Sequence, residues 1–387
     1  MMEVLKENNF FEKITEMDTP AIVYNLDYVR NVIDTIESDI FHHVKDTDRV
    51  KLFYSCKANS NPKIIHFLNK YIDGFDVASE FEYKKIKTIC EKGNTISYTS
   101  PFIDKEILQE IYSDGNLFDF NSISQLMANA ELISNKEIGL RINMDLREVN
   151  ETILGNKSRF GVYYLDDRLE KIIKKNFLKI KKLHIHTGEK SASIMEDIIN
   201  RTEKILANPL FEDVETVDVG GGLINLYKKR ESIKEFWSII DVFLEKHPKI
   251  NIVVEPGSLI VALSGYLISS IAELDYTIDG RKANITLDTS RHNLFTWNKP
   301  NLIFPKKVDN EKGFECNING CTCYELDFFM RSVHLDINSI YPQQKFIFGP
   351  VGAYVKSNSK SLHDYPFPKE YYFSEGSIER NEVDDEF

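Results

Sequence analysis

The chain has 387 residues, 42% of them hydrophobic and 12% aromatic, enough for two domains or for one barrel with an appended domain. Its formal net charge of −12 excludes a nucleic-acid binder, because phosphate backbones demand basic patches. No uninterrupted apolar run approaches the roughly 20 residues of a membrane span, so no membrane segment is expected. Residues 1–16 mix acids, lysine and asparagine where a secretory signal would be apolar, and are expected to be unprocessed. The five cysteines (Cys56, Cys90, Cys316, Cys321 and Cys323) are odd in number and scattered, which suits a reducing cytoplasm better than a disulfide framework.

In chain order, Ala21-Ile22-Val23-Tyr24 reads first as a strand, one that residues 1–24 contribute to a later β domain. Between about residues 50 and 256, β-rich runs alternate with helical patterns. The strand candidates are Lys51–Cys56, Gly74–Val77, Thr95–Thr99, Asn116–Phe120, Ile138–Asn143, Lys182–His186, Thr216–Val219 and Asn251–Glu255. Helices fall between them: Pro62–Tyr71 with proline in the first turn, a capping box at Ser79 opening a helix to residue 91, Ser122–Ile133 and Ala192–Leu206. This rhythm predicts a parallel (β/α)8 barrel over residues 25–264, with a doubly wound open sheet as the competitor. A barrel places chemistry at the C-terminal ends of its strands, where Lys57, Asp76, His186, Gly220–Gly222 and Glu255 all fall. After Gly265 the strands (Tyr266–Leu274, Lys282–Leu287, Lys345–Phe348) follow one another without helices, predicting an all-β domain, sandwich or barrel, over residues 265–373. Residues 374–387 read as an acidic flexible tail.

Four features suit the parts of one cofactor, pyridoxal 5'-phosphate. Lys57, at the mouth of an apolar strand, is expected to be partly desolvated, which favours the neutral amine that attacks an aldehyde. Glu255 ends the apolar run Val253-Val254 and can hold a pyridine nitrogen protonated. The triplet Gly220-Gly221-Gly222 follows a strand and offers unobstructed N–H groups to a phosphate. His184 and His186 share a strand face. Without a convincing third ligand no metal is expected, and His186 is better used stacked on the cofactor ring.

Read together, Tyr54-Ser55-Cys56-Lys57-Ala58-Asn59, Gly74-Phe75-Asp76-Val77-Ala78-Ser79, Leu140-Arg141-Ile142-Asn143, Ser158-Arg159-Phe160-Gly161-Val162, His184-Ile185-His186-Thr187-Gly188, Gly220-Gly221-Gly222, Glu255-Pro256-Gly257, Cys321-Thr322-Cys323 and Gly352-Ala353-Tyr354 occur in the order of a known family. From about Thr19 to Tyr354 the chain resembles the fold-type III pyridoxal phosphate decarboxylases, which act on diaminopimelate, ornithine, arginine or carboxynorspermidine. The resemblance implies an alanine-racemase-like barrel with a β domain. It also implies that Lys57 bonds the cofactor aldehyde, Glu255 meets the ring nitrogen and His186 stacks on the ring. Gly220, Gly221, Gly222, Gly257 and Tyr354 would bind the cofactor around its phosphate, and Asp76 and Glu82 would support the lysine and histidine. In a homodimer with shared active sites, Cys323 of the second copy would return a proton to the substrate. Arg159, Tyr324 and Glu325 are the candidate substrate contacts.

Three positions depart from the family pattern. Ser258 stands where the family carries arginine, and Glu189 where it carries serine near the phosphate. A glutamate aimed at a phosphate would be repelled by several kcal/mol at an effective dielectric of about 20, so Glu189 is expected to point away, with Lys190 or Ser191 compensating. Tyr324 follows Cys323 where an acid reads the distal ammonium of a diamino acid; Glu325 is displaced by one residue, and Asp288 is a further candidate for that contact. The expected activity is therefore release of carbon dioxide from the α-carbon of an unusual or conjugated amino acid. The alternatives are a diaminopimelate decarboxylase of lysine biosynthesis, an amino acid racemase and a non-catalytic decarboxylase-like regulator.

Overall fold

A computed structural model of the chain describes residues 9–90, 95–144, 158–294 and 300–380. The chain divides into two units, one of residues 33–259 and one of residues 1–32 with 260–387. The first boundary falls inside the helix Leu26–His43. The second lies earlier than expected because Ile260–Ser264 belongs to the sheet unit: Gly352 N–H donates to the Ala262 carbonyl at 3.0 Å and Val351 N–H to that of Gly265 at 2.9 Å.

In residues 33–259, eight parallel strands close into a barrel. They are β2 (Val50–Ser55), β3 (Gly74–Val77), β4 (Thr95–Thr99), β5 (Leu117–Phe120), β6 (Glu137–Arg141), β7 (Lys179–His184), β8 (Thr216–Asp218) and β9 (Asn251–Val254), and β9 pairs back to β2 through Leu52 and Val254. The open-sheet competitor is thereby excluded. Strand β7 starts and ends earlier than predicted, so His186 lies past its end, in the loop. The helices form where capping and periodicity agree. Ser191 caps Ala192–Leu206 by accepting from Ile194 N at 3.1 Å, and Met195, Ile198, Ile199, Thr202 and Ile205 make its buried stripe. Asn61 caps the helix Pro62–Leu68 in the same way, and Ser79 caps Glu80–Ile89. Residue 91, where that last helix was expected to end, lies outside the described residues.

In the other unit, nine strands hydrogen-bond into one mixed sheet in the order β14 (Phe328–Leu335), β13 (Phe314–Asn319), β11 (Lys282–Leu287), β10 (Gly265–Tyr276), β1 (Ala21–Asn25), β16 (Lys369–Ser374) and β17 (Ser377–Arg380). The remaining two, β12 (Asn301–Phe304) and β15 (Lys345–Gly349), join through β10. The unit is mostly sheet rather than all β: Phe10 and Ile14 of the helix Phe10–Thr15 pack on Val23, Tyr266, Ile268, Ile347 and Phe373. Strand β1, fully buried, lies between β10 and β16. The expected tail is ordered as far as residue 380. Glu375 and Gly376 have φ of 50° and 74°, and this two-residue turn folds β17 back on β16, with Ser374 opposite Ser377. Residues 381–387 lie outside the described residues.

Candidate active site

The site is built on the C-terminal ends of the barrel strands. Directly after β2 the chain enters a tight turn, Cys56–Ala58, that carries Lys57. The Lys57 Nζ lies 2.9 Å from Asp76 Oδ2, at the end of β3, and Ser55 Oγ donates to the same oxygen at 2.8 Å. Asp76 is 2% exposed and the Lys57 side chain 41% exposed. The expected desolvation of Lys57 is thus slight, and a buried carboxylate beside the amine favours its charged form over the neutral one. Glu82 accepts from Ala78 N at 2.8 Å and so fixes the turn after β3; burial raises its carboxyl.

Glu255 lies directly after β9 and is 1% exposed. Neither of its carboxylate oxygens receives a hydrogen bond from a described residue. Burial first, and then the charges of Asp218 and Asp76, push this carboxyl well above the usual range. A buried carboxyl without donors is poised to meet a cationic N–H, and a protonated pyridine nitrogen supplies one. Gly257 lies against Ser55 and Ala58, beneath the lysine turn.

The glycine loop leaves β8 with positive φ at Gly220 (70°) and Gly222 (86°). A Cβ on Gly222 would come within 1.9 Å of the Gly188 carbonyl oxygen, so only glycine fits between the loops that follow β7 and β8. Gly220 lies against the ring of His186, which is partly buried. Burial, then the charges of Lys190, Lys57 and Arg141, hold His186 well below the usual imidazole range, so it presents a neutral ring. An acceptor for a pyridine N–H, an amine on a fixed carboxylate, a flat neutral ring and a glycine cradle together fit pyridoxal phosphate.

Beneath these groups runs a buried polar layer. Lys182 Nζ lies 2.9 Å from Asp119 Oδ2 and 2.8 Å from Asp218 Oδ2, and donates to Ser97 Oγ at 2.5 Å. Gly139, opposite Asp119 on β6, makes room for it, since a Cβ there would meet Asp119 Oδ1 at 1.9 Å. His184 Nδ1 is 2.9 Å from Thr99 Oγ1, and its Nε2 is 3.7 Å from Glu255 Oε2. Burial, then Arg141 and Lys182, hold this ring neutral too. The ligand atoms of His184, Asp218 and Glu255 lie within 4.8 Å of one another, a trio the sequence did not suggest. The ammonium of Lys182 already supplies the positive charge beside them. Sequence reasoning also passed over Arg141, whose guanidinium lies 4.7 Å from the centroid of the Phe160 ring, with that of Arg159 at 4.3 Å. Arg159 is exposed.

The remaining candidates belong to the sheet unit. Cys323 and Tyr324 sit on an exposed turn clamped by Asp327, which is 4% exposed and accepts from Ser290 Oγ (3.0 Å), Arg291 N (2.7 Å) and Thr322 Oγ1 (2.6 Å). The Tyr324 ring lies 5.5 Å from that of His292, and Glu325 is exposed. Tyr354 has φ of 56° in the turn after β15. Asp288, the other candidate for a distal ammonium, is already engaged by Thr19, Ser269 and Ser270. All five cysteines are free, and among the described residues no helix is long and apolar enough to cross a membrane.

Comparison with known proteins agrees with this geometry. The model of the pyridoxal binding domain of pyridoxal-dependent decarboxylases matches residues 33–262. The chain is 24% identical to diaminopimelate decarboxylase of Campylobacter jejuni, with 94% of this chain and 92% of that one covered. It is also 24% identical to 2-[(L-alanin-3-ylcarbamoyl)methyl]-2-hydroxybutanedioate decarboxylase of Staphylococcus aureus, with 84% and 88% covered. The solved structure of Helicobacter pylori diaminopimelate decarboxylase with L-lysine shares the fold, with a TM-score of 0.75 at 22% identity and 96% and 95% of the two chains covered.

Proposed function

The chain belongs to the pyridoxal-dependent decarboxylases, carboxy-lyases whose cofactor is pyridoxal phosphate, and on that premise we propose that it decarboxylates an unusual or conjugated amino acid at its α-carbon. The observation that carries this reading of the site is Glu255, a buried carboxyl whose oxygens accept from no N–H or hydroxyl among the described residues, one strand from the Lys57–Asp76 pair. When bound, the cofactor supplies an aldehyde for an amine and a conjugated ring that accepts the electron pair of the breaking bond. Lys57, oriented by Asp76, would hold the cofactor through its aldehyde, and Asp76 would pair with the amine whenever it is not so engaged. Glu255 would meet the ring nitrogen as an acceptor, and His186 would lie along the ring as a neutral imidazole. The carboxylate would depart as carbon dioxide, and the Cys323 thiol of a second copy would place a proton on the α-carbon, becoming a thiolate.

For the substrate, Tyr324 in the place of an acid and the internal engagement of Asp288 both speak against a simple distal ammonium. The name of the Staphylococcus aureus relative describes a conjugated amino acid, which supports the same class. Diaminopimelate is the second reading, favoured by the Campylobacter jejuni relative. A mass-spectrometric screen of diamino acids and amino acid conjugates for loss of carbon dioxide decides between them. A conjugate is expected to turn over at least about tenfold more efficiently than diaminopimelate. The reverse order would refute the conjugate, and no carbon dioxide from any amino acid would refute the reading altogether.

Cys323→Ala is expected to retain bound cofactor and to slow turnover by about 10²-fold, the usual size of a lost proton donor. Mixed with a Lys57→Ala chain it should recover part of the activity, since one intact site then forms between the two faulty copies. Unchanged turnover would remove Cys323 from the reaction, and failure to complement would remove the shared site.

A further inference from the structure

Lys190 is 2% exposed, and among the described residues no carboxylate lies within ion-pair distance of it. A buried ammonium in that position is expensive, and most are matched by a buried acid. This one is held by carbonyl oxygens alone. It donates to the Gly221 carbonyl and, at 3.3 Å, to that of Gly188, while its own backbone N–H donates to the Gly222 carbonyl at 2.7 Å. The side chain is therefore tied to both glycine turns that form the cradle, and two carbonyls account for two of its three N–H donors. Its neighbours in sequence are committed elsewhere. Glu189 is exposed, and its Oε2 accepts from Asn225 N at 3.1 Å, while Ser191 caps the following helix. Of the two expected compensators, Ser191 caps the helix through its oxygen and brings no charge, whereas Lys190 brings a cation to the loop.

A cradle for a phosphate dianion needs more than N–H groups when an acid stands next to it. Ser258 brings no charge, and Glu189 adds a negative one close by. We infer that Lys190 is the counter-cation for the cofactor phosphate in this chain, acting from beneath the Gly220–Gly222 loop rather than from the turn after Glu255. The inference rests on the cofactor site proposed above. Burial pushes the Lys190 amine down to about 8, with Glu255, Asp218 and Glu189 opposing, so a dianion arriving at the loop would hold it charged.

The test compares two ligands that differ only in the phosphate. The full chain, stripped of cofactor, is titrated with pyridoxal phosphate and with pyridoxal, and binding is read from visible absorbance and from borohydride-fixed adduct mass. Lys190→Gln keeps a donor for the Gly221 carbonyl and drops the charge. It should weaken pyridoxal phosphate at least about tenfold while leaving pyridoxal within about twofold. Lys190→Arg, which keeps the charge, should preserve the preference for the phosphorylated ligand. If Lys190→Gln does not fold, the same ratio is measured in Lys190→Met, which keeps the length and the packing. An unchanged ratio, or an equal loss for both ligands, would overturn the inference. A wild-type chain that bonds neither ligand would instead overturn the Lys57 assignment, and this inference with it.

Discussion

Lys57→Ala should release no measurable carbon dioxide, a loss of at least about 10³-fold, and should lack the visible absorbance of the lysine-bound cofactor. The physical reason is position. Among the described lysines of the barrel, Lys182 and Lys190 are buried among carboxylates and carbonyls, whereas Lys57 stands at a strand end, partly exposed and oriented by Asp76. Alanine removes both the amine and its charge, so a structural loss must be separated from a chemical one. Lys57→Arg makes that separation. A guanidinium can still pair with Asp76 and leave the fold intact, but it does not lose its proton and cannot bond an aldehyde. Both variants are expected to be inactive, and the arginine variant to unfold at the wild-type temperature. Turnover and colour retained by either variant would refute the assignment, and borohydride reduction of wild type should mark position 57 by peptide mass.

The barrel was legible in the sequence because short β-rich runs alternate with helical patterns, and because the helix Ala192–Leu206 shows its buried stripe without interruption. The strand-end residues Lys57, Asp76 and Glu255 were legible for the same reason: a polar residue closing an apolar run marks a mouth. Alternation along β7 puts Lys182 on the face of His184, two residues before it, whereas His186 lies past the strand's end. That signal was present and was passed over. Its partners were harder to find. Asp119 and Asp218 sit alone inside apolar strands far apart in sequence, and only barrel closure brings both within 3 Å of one ammonium. Glu189 is exposed and its Oε2 accepts from Asn225 N, a contact that repulsion from a phosphate does not predict. The burial of Lys190 against the glycine loop was not legible, because it depends on how the loops after β7 and β8 pack. The end of the chain misled for a local reason: Glu375-Gly376 reads as polar fraying but is the turn of a hairpin.

Lys182→Met should lower the stability of the barrel more than any surface change, by about 3–5 kcal/mol, because it removes one partner of a buried ion cluster and leaves the others in place. Lys182 is 6% exposed, and Asp119 and Asp218 are fully buried. Burial alone would lower the lysine, but the charges of Asp119, Asp218 and Glu255 outweigh it and raise it above its ordinary value, so the cluster carries a genuine ammonium. Without it, two carboxylates face each other in an apolar barrel, and at least one must bind a proton for the chain to fold. Asp119 is already raised by burial in the presence of Lys182, and the loss of that cation raises it further. A carboxyl raised in the folded state binds more protons there than in the unfolded chain, so its contribution is present at low pH and lost as pH rises. The variant should therefore fall further behind wild type at about pH 8 than at about pH 5. At roughly 2–4 °C per kcal/mol for a unit of this size, the midpoint of thermal unfolding should drop by about 6–20 °C at neutral pH. Adding Asp119→Asn should recover part of the loss, although Asp119→Asn alone is expected to destabilise, and this non-additivity is the signature of a shared cluster. Thermal melts of the four chains at both pH values check it. A Lys182→Met chain that melts with wild type, or two substitutions whose effects simply add, would show that the ammonium does not hold the layer beneath the site.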